Sequence, residues 1–185
     1  MTAGQVRSVA PSDTALLKEL SDMDAELFPG NVWGLDAYAK SAENDYDRLL
    51  AFVIEEAGES RKAVMTEVSE ALHAAGEPSE AKAECAGDVN AHAAGFALLR
   101  CFDDAELIRI AASPEHRREG IGRRLLGALI DEANKCGAGS IFLEVRRSNT
   151  AAIKLYEGAG FEQTGVRKDY YHAPKEDALI MRYTC

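Results

Sequence analysis

Hydrophobic and polar residues alternate along the chain with two different periods, which predicts interleaved strands and helices. Apolar or alternating runs of strand length lie at Val6–Val9, Leu49–Ile54, Ala93–Arg100, Glu106–Ala112, Ser140–Val145, Phe161–Arg167 and Ala178–Tyr183. Helical spacing of apolar residues covers Thr14–Ala25, Leu35–Ala42, a segment opened by Gly120 and stopped by Gly137, and Asn149–Ala159. This order favours an α/β fold in which helices pack on a mixed sheet.

The pattern changes from Glu55 to about Asn90, where Glu, Ala, Lys, Ser and Gly dominate. Four apolar residues keep helical spacing there, namely Val64, Val68, Ala71 and Leu72. We therefore predict an inserted helix, with a flexible acidic loop as the alternative. Because 185 residues lie within the usual size of one domain, we expect a single domain, residues 1–185, with an insertion at about 55–90 and no internal repeat.

Composition narrows the class of protein. Hydrophobic residues make up 46% and charged residues 28%, which is typical of a globular protein. No stretch approaches the roughly 20 apolar residues of a membrane span, and the segment MTAGQVRSVAPSD has no apolar core of a signal peptide. We expect a cytoplasmic protein without a membrane partner.

The cysteines and the charge exclude further classes of site. Cys85, Cys101, Cys136 and Cys185 lie far apart and without histidines at ligand spacing, so we expect reduced thiols and no metal. A net charge of -10 argues against nucleic-acid binding and allows a basic partner. Four arginines nevertheless fall within the eight residues of Arg117–Arg124, which suggests a small anionic ligand.

The arginine cluster has the build of an anion site. A strand ends at Ala112, and Arg117-x-x-Gly120-x-Gly122 then leads directly into a helix. Glycines let the backbone approach a phosphate, and the amide groups and dipole of a helix N-terminus favour negative charge. A tight turn is the alternative. No Gly-Lys-Ser/Thr follows, which excludes a Walker loop, and the incomplete GxGxxG motif disfavours a dinucleotide site. Coenzyme A is a nucleotide-bearing ligand that fits this loop.

The next strand and helix carry candidate catalytic groups. Glu144 interrupts an otherwise apolar strand, where its carboxylate either faces solvent or lines a site. Tyr156 shares a helical face with Asn149 and Ile153, so it is either a core aromatic or a phenol facing the same site.

Three segments together resemble a known family: Leu107–Pro114, Arg117–Arg124 and the run LEVRRSNTAAIKLYEGAGF of Leu143–Phe161. They resemble the GNAT superfamily of N-acetyltransferases, with the strongest likeness to the bacterial ribosomal-protein-alanine N-acetyltransferase family. The resemblance is dense from Gly95 to Met181, loose over the first 55 residues and absent from the insertion. It implies a mixed, mostly antiparallel sheet with a V-shaped splay between two central parallel strands and helices on both faces.

The resemblance also implies roles for individual residues. Acetyl-CoA would be the co-substrate, with Glu144 as base and Tyr156 as acid. The implied cofactor-binding residues are Ile110, Ala111, Ala112, Arg117, Arg118, Glu119, Gly120, Ile121, Gly122, Arg123 and Asn149, of which Asn149 is equally a helix N-cap candidate. The two walls of the substrate site would be formed by Phe28 and Trp33 on one side and by Tyr170 and Tyr171 on the other.

The pKa of the acceptor amine indicates which class of acceptor is easier to acetylate. The pKa of a peptide α-amine is near 7.7–8.0 against about 10.4 for lysine, so roughly 10–20% of the α-amine is neutral at pH 7, against well under 0.1% of lysine. Kinship points to a protein N-terminus, in particular the N-terminal alanine of a ribosomal protein. The alternatives are an acetyltransferase for a small free amine, of polyamine or aminoglycoside type, and a non-catalytic acyl-CoA-binding module. The module would be expected to lack the base.

Overall fold

The structure is a computed structural model that describes residues 4–57 and 89–185, with backbone only at 55–57 and 89–90. The strands are β1 Gln5–Ser8, β2 Asp47–Ala57, β3 Val89–Cys101, β4 Ala105–Ala112, β5 Ser140–Arg146, β6 Glu162–His172 and β7 Lys175–Thr184. The helices are α1 Thr14–Leu27, α2 Leu35–Glu43, α3 Ile121–Cys136 and α4 Thr150–Glu157. The helix predicted over Val64 to Leu72 lies outside the described residues.

The seven strands form one sheet in the order β1-β2-β3-β4-β5-β7-β6. All neighbours are antiparallel except β4 and β5, which run parallel and pair only at Ala105 with Ile141 and Glu106 with Phe142. Beyond these pairs both strands continue without a shared ladder, β4 to Ala112 and β5 to Arg146. The predicted V-shaped splay between two central parallel strands is therefore confirmed.

Helices cover both faces of the sheet, because each face carries its own apolar cluster. One cluster joins the sheet to α3 and α4 and includes Leu125, Leu129 and Tyr156. The other joins it to α1 and α2 and includes Leu17, Leu20, Tyr38 and Phe96. Burial of both sets removes apolar surface from water, which is the main favourable term in folding. None of the helices in the described residues has the length and apolar character of a membrane span.

Local sequence explains where the helices begin and end. Asp13 caps α1, its carboxylate accepting the Leu16 amide at 3.3 Å. Gly120 and Gly137 bound α3, both with a left-handed backbone, at φ of 83° and 76°. Only glycine adopts that conformation without strain, so the two glycines set the length of α3.

Candidate functional site

The residues between β4 and α3 form a shaped loop, residues 113–120, which we call the cofactor loop. Ser113 caps a single 3₁₀ turn at Pro114–His116, and Arg117 continues in extended conformation. Arg118 then adopts a positive φ of 67° and Gly120 one of 83°. A non-glycine residue with positive φ is uncommon and signals a backbone held by its surroundings. The predicted loop between strand and helix is thus present.

The N-terminus of α3 presents its amide groups without a side-chain cap. Gly120 is the N-cap and makes no side-chain hydrogen bond, so the amides of Ile121, Gly122 and Arg123 in the first turn receive no cap from it. A Cβ atom on Gly122 would meet Leu155 Cδ2 of α4 at 3.3 Å, and the glycine thus allows α4 to approach closely. Uncapped amides and the positive end of the helix dipole make this turn suitable for a phosphate.

The arginines of the loop divide into two groups. Arg117, Arg118 and Arg123 are exposed beside the loop. Arg124 instead lies over the Phe52 ring at 5.4 Å and donates to the Gly4 carbonyl at 3.3 Å, so it links α3 to β2 and to the residue before β1. Glu119, predicted among the cofactor residues, contacts His116 Nδ1 at 3.3 Å. Arg117, Arg118 and Arg123 are therefore the three arginines whose side chains are exposed at the loop without such a tether.

A cleft runs from the loop between α3 and α4, with a volume of about 310 Å³. Its lining residues are Arg123, Gly127, Ile130, Leu155, Gly158 and Ala159. Of these, only Arg123 was predicted from the sequence as a site residue. The small residues on α3 and at the end of α4 could have indicated a gap between the two helices.

The edge of β4 offers backbone groups to an extended ligand. Ile110, Ala111 and Ala112 pair with β3 on one side only, because β5 has already diverged on the other. Their backbone groups on that side form no ladder with β5, and their binding to a pantetheine arm stays a prediction. Among the described residues, no cluster of His, Cys, Asp or Glu could hold a metal ion.

Glu144 lies on β5 at the splayed end, with its side chain 22% exposed. Its Oε1 atom is 2.7 Å from Nη1 of Arg167 on β6. Tyr170 lies beside this pair, and its pKa is raised chiefly by its hydrogen bond to Glu144 and then by burial. Arg167 also covers the Tyr170 ring at 5.0 Å. The predicted base and one predicted substrate residue are therefore in contact, and Arg167 is a partner that the sequence did not predict.

Tyr156 is buried under α4 and contacts Phe161 with ring centroids 5.8 Å apart. Burial raises the pKa of Tyr156 above its ordinary value, and the neighbouring Tyr171 contributes in the same direction. Burial likewise raises the pKa of Tyr171, which Arg146 lowers and Glu144 raises. Tyr171 thus lies within electrostatic reach of both predicted catalytic groups. A buried phenol with a raised pKa keeps its proton, as an acid at this place requires.

The turn between β5 and α4 is held by Glu176, a residue that the sequence did not single out. Glu176 accepts hydrogen bonds from the Ser148 amide, from Ser148 Oγ at 3.1 Å and from Arg146 Nη1 at 3.2 Å. Arg146 in turn covers the Tyr171 ring at 4.0 Å. Asn149 caps α4, its Oδ1 atom accepting the Ala152 amide at 3.2 Å. The N-cap alternative for Asn149 is confirmed, and its contact with a cofactor stays a prediction.

The structure brings the predicted substrate residues together in two pairs. Tyr170 and Tyr171 meet with ring centroids 5.1 Å apart on β6. Phe28 and Trp33 both lie against the Arg109 guanidinium, at 4.9 Å and 5.0 Å. Arg109 was missed, although an arginine inside the apolar strand LIRIAA must find a partner if it is buried. That both pairs line one groove stays a prediction, as do the individual catalytic and binding roles.

The chain is similar to known acetyltransferases over the segment that carries this geometry. The model of the acetyltransferase (GNAT) family matches residues 69–161. The [ribosomal protein bS18]-alanine N-acetyltransferase of Escherichia coli K12 is 46% identical over 95 residues, which are 50% of this chain and 64% of that protein. The chain thus spans less than two thirds of this relative.

Solved structures show the same fold over nearly the whole chain. The ribosomal-protein-S18-alanine N-acetyltransferase from Escherichia coli superimposes with a TM-score of 0.66 and 25% identity, covering 98% of this chain and 94% of that one. The yncA protein of Salmonella typhimurium, solved with its cofactor acetyl-CoA, has a TM-score of 0.66 and 20% identity over 99% and 94% of the two chains. With a family model that covers half of its length and a sheet that splays in the expected place, this chain belongs to the GNAT acetyltransferase family.

Proposed function

We propose that this protein transfers an acetyl group from acetyl-CoA to the N-terminal α-amino group of a protein, with the N-terminal alanine of a ribosomal protein as the target. The observation that carries the proposal is the placement of Glu144 at the splayed end of β5, bonded to Tyr170 and close to Tyr171. Tyr171 also acts on the pKa of the Tyr156 phenol, which supports a base and an acid on the two sides of Tyr171. The relatives named as alanine N-acetyltransferases support the same acceptor.

Acetyl-CoA supplies the acetyl group as a thioester. The uncapped first turn of α3, with Arg117, Arg118 and Arg123 beside it, holds the pyrophosphate, and the open edge of β4 holds the pantetheine arm. The acetyl-CoA in the Salmonella fold relative supports this co-substrate. No step of the reaction requires a metal.

Glu144 removes the proton of the acceptor ammonium, which frees the nitrogen lone pair to form the new bond to the acetyl carbon. The ion pair between Glu144 and Arg167 matters here because both the guanidinium and the acceptor ammonium are cations that seek the same carboxylate. The Arg167 side chain is 55% exposed, so it can move into solvent as the acceptor enters. The acceptor thus replaces one cation at Glu144 by another.

Tyr156 protonates the sulfur as the carbon–sulfur bond breaks, so the products are an N-acetylated amine and coenzyme A as the free thiol. Burial keeps the phenol neutral until that step, since the charged form is disfavoured away from water. The acetylated nitrogen then gives up its second proton, which restores the Tyr156 phenol, and the proton taken by Glu144 returns to solvent. Base and acid therefore complete one turnover without a covalent enzyme intermediate.

The acceptor fits the charge of the molecule. A net charge of -10 attracts a basic protein, and ribosomal proteins bind an anionic nucleic acid. The free thiols of Cys101, Cys136 and Cys185 suit a reducing compartment, so we place the reaction in the cytoplasm, away from membranes. The negative net charge supports a reaction without direct contact to nucleic acid. One catalytic domain that includes the insertion would carry the whole activity.

A screen of acetyl acceptors tests the proposal. The protein is incubated with labelled acetyl-CoA and either a library of peptides with free N-termini or a panel of polyamines and aminoglycosides. We expect label on peptides, because their α-amine is partly neutral at pH 7, and most of all on peptides that begin with alanine, as the names of the relatives suggest. Transfer to the small amines alone would instead identify an acetyltransferase for small free amines, and no transfer to either set would contradict the proposal.

A further inference from the structure

A buried ion pair lies beneath the loop between α1 and α2, which we call the 28–34 loop. Arg109 of β4 has a side chain only 5% exposed, and its Nη1 atom is 2.6 Å from Oδ1 of Asp24, whose side chain is fully buried. Asp24 accepts the Trp33 amide at 2.7 Å through its other oxygen, and Arg109 Nη2 donates to the Asn31 carbonyl. The ion pair therefore holds the loop backbone at two points.

Aromatic rings complete this attachment. The Arg109 guanidinium lies 4.9 Å from the Phe28 ring centroid and 5.0 Å from that of Trp33. A planar guanidinium stacks on aromatic rings while its edge donates hydrogen bonds, a combination that lysine lacks. Tyr38 of α2 donates to Asp24 at 2.8 Å and contacts Trp33 with centroids 6.0 Å apart. Loops usually move more than the elements they connect, whereas this loop is held by two backbone hydrogen bonds and by the stacking of Phe28 and Trp33 on Arg109.

A bulge in β4 directs Arg109 to this face. Leu98 of β3 pairs with Arg109 and Leu99 pairs with Leu107, so Ile108 is an extra residue without a partner on β3. Strict alternation would have placed Arg109 with Leu107 against α3. The bulge instead turns Arg109 toward α1 and returns Ile110 to the α3 side.

Arg109 consequently connects the two halves of the site. The residues that follow it, Ile110 to Ala112, form the open edge predicted to hold the pantetheine arm. The residues that it contacts, Phe28 and Trp33, form the predicted acceptor wall. We propose that Arg109 is a positioning residue, which holds the 28–34 loop in the shape that receives the acceptor peptide; this inference rests on the proposed function.

The chain offers a direct probe of the loop, because Trp33 is its single tryptophan. The variant Arg109→Lys keeps a positive charge against Asp24, which protects the fold, and removes the fork and the ring stacking. The matched control is Arg100→Lys on β3, whose guanidinium makes a similar two-pronged pair with Asp47 at 2.7 Å and 3.0 Å away from the loop. Quenching of Trp33 fluorescence by acrylamide is measured in all three proteins without ligand.

We expect faster quenching of Trp33 in Arg109→Lys and wild-type quenching in Arg100→Lys. With a short tryptophan-free peptide that begins with alanine, Arg109→Lys should raise the peptide KM by roughly tenfold, while kcat and the KM for acetyl-CoA stay near wild type. If Arg109 served only the stability of the fold, Arg109→Lys would lower activity without this division between peptide and cofactor.

Two results would overturn the inference. One is unchanged quenching and unchanged peptide KM in Arg109→Lys. A second measurement uses the double variant Asp24→Asn with Arg109→Met, which removes both charges and should also quench Trp33 faster than wild type. The other is an equal loss in the Arg100→Lys control. If the wild-type protein leaves the peptide unacetylated, the proposed function fails, and Arg109 has no acceptor to position even where quenching shows that it orders the loop.

Discussion

At the scale of single residues, the site depends on polar groups that are held by specific partners. Breaking a buried pair by removing one member costs about 3–5 kcal/mol, since the other charge is left without compensation. Asp24 with Arg109 is such a pair, whereas Glu144 with Arg167 is partly exposed and can exchange its cation. The first pair is suited to holding a loop, and the second to binding a substrate amine.

The assigned roles predict the kinetics of two substitutions. Glu144→Gln and Tyr156→Phe should each lower kcat by about 10²–10⁴-fold with little change in acetyl-CoA affinity, because each removes one proton-transfer group. Glu106→Gln on the neighbouring strand and Tyr183→Phe, which also contacts Phe161, are matched controls and should keep wild-type rates. Steady-state kinetics decide the matter, and near-wild-type kcat in either site variant would remove that residue from the mechanism.

The two variants should also differ in their response to the leaving group, and the wild-type pH profile tests the state of the Tyr156 phenol. A thioester with a more acidic thiol needs less help from an acid, so it should restore rate to Tyr156→Phe but not to Glu144→Gln. Because burial raises the pKa of Tyr156, its phenol stays protonated up to and beyond pH about 10, and wild-type kcat should not fall through ionisation of Tyr156 below that pH. A Tyr156→Phe defect that ignores the leaving group would return Tyr156 to the role of a core aromatic.

At the scale of elements, α3 has a left-handed glycine at each end, and only Gly120 belongs to the cofactor loop. A Cβ atom added to Gly120 would meet nothing within 4 Å, so the requirement for glycine comes from its φ of 83° and not from space. Gly137 at the other end of α3 is also left-handed, at 76°, with the same open surroundings. The two glycines are therefore equivalent in strain and differ only in their position relative to the loop.

This equivalence gives a controlled prediction for cofactor binding. Gly120→Val should weaken coenzyme A binding at least tenfold, about 1.4 kcal/mol, because a β-branched residue cannot hold the backbone that presents the first-turn amides. Gly137→Val should cost similar stability and leave the affinity unchanged. Calorimetric titration with coenzyme A measures both, and equal affinity in wild type and in a folded Gly120→Val protein would exclude this loop as the pyrophosphate site.

The sequence predicted the order of strands and helices well, and the pairing register between neighbouring strands poorly. All strands and helices of the described residues appear in the predicted order, since period and capping residues report local structure. β6 was predicted to end at Arg167 but extends to His172, because pairing of Tyr171 with Glu176 across the hairpin continues the ladder. The bulge at Ile108 left no signal, since it arises from register with β3 and not from the sequence of β4.

The same distinction applies to the site. Glu144, Tyr156 and the glycine loop could be proposed as site residues from the sequence, because each interrupts a local pattern or matches a family motif. Arg167, Glu176 and Arg109 could not, since each acts on a residue far away in the chain: Glu144, Ser148 and Asp24 respectively. Long-range polar pairs of this kind require the sheet order before they can be inferred.

At the scale of the whole molecule, the sites proposed for the two ligands belong to different faces of the splayed sheet. α3 packs on one face, and α1 and α2, which the 28–34 loop connects, pack on the other. The net charge is -10, although three exposed arginines lie at the cofactor loop, so we expect an anionic cofactor and a basic protein to be attracted to different regions. The proposed mechanism therefore requires that the peptide presents its own N-terminus to the opening.

Locating the acetyl group on one peptide tests this requirement most directly. The protein is given acetyl-CoA and a peptide with a free N-terminal alanine and internal lysines, beside the same peptide with a blocked N-terminus, and the products are mapped by fragmentation mass spectrometry. The proposed mechanism predicts one acetyl group, on the α-amine of the free peptide, and no product from the blocked one. Acetylated lysine at comparable rates in both peptides would contradict it.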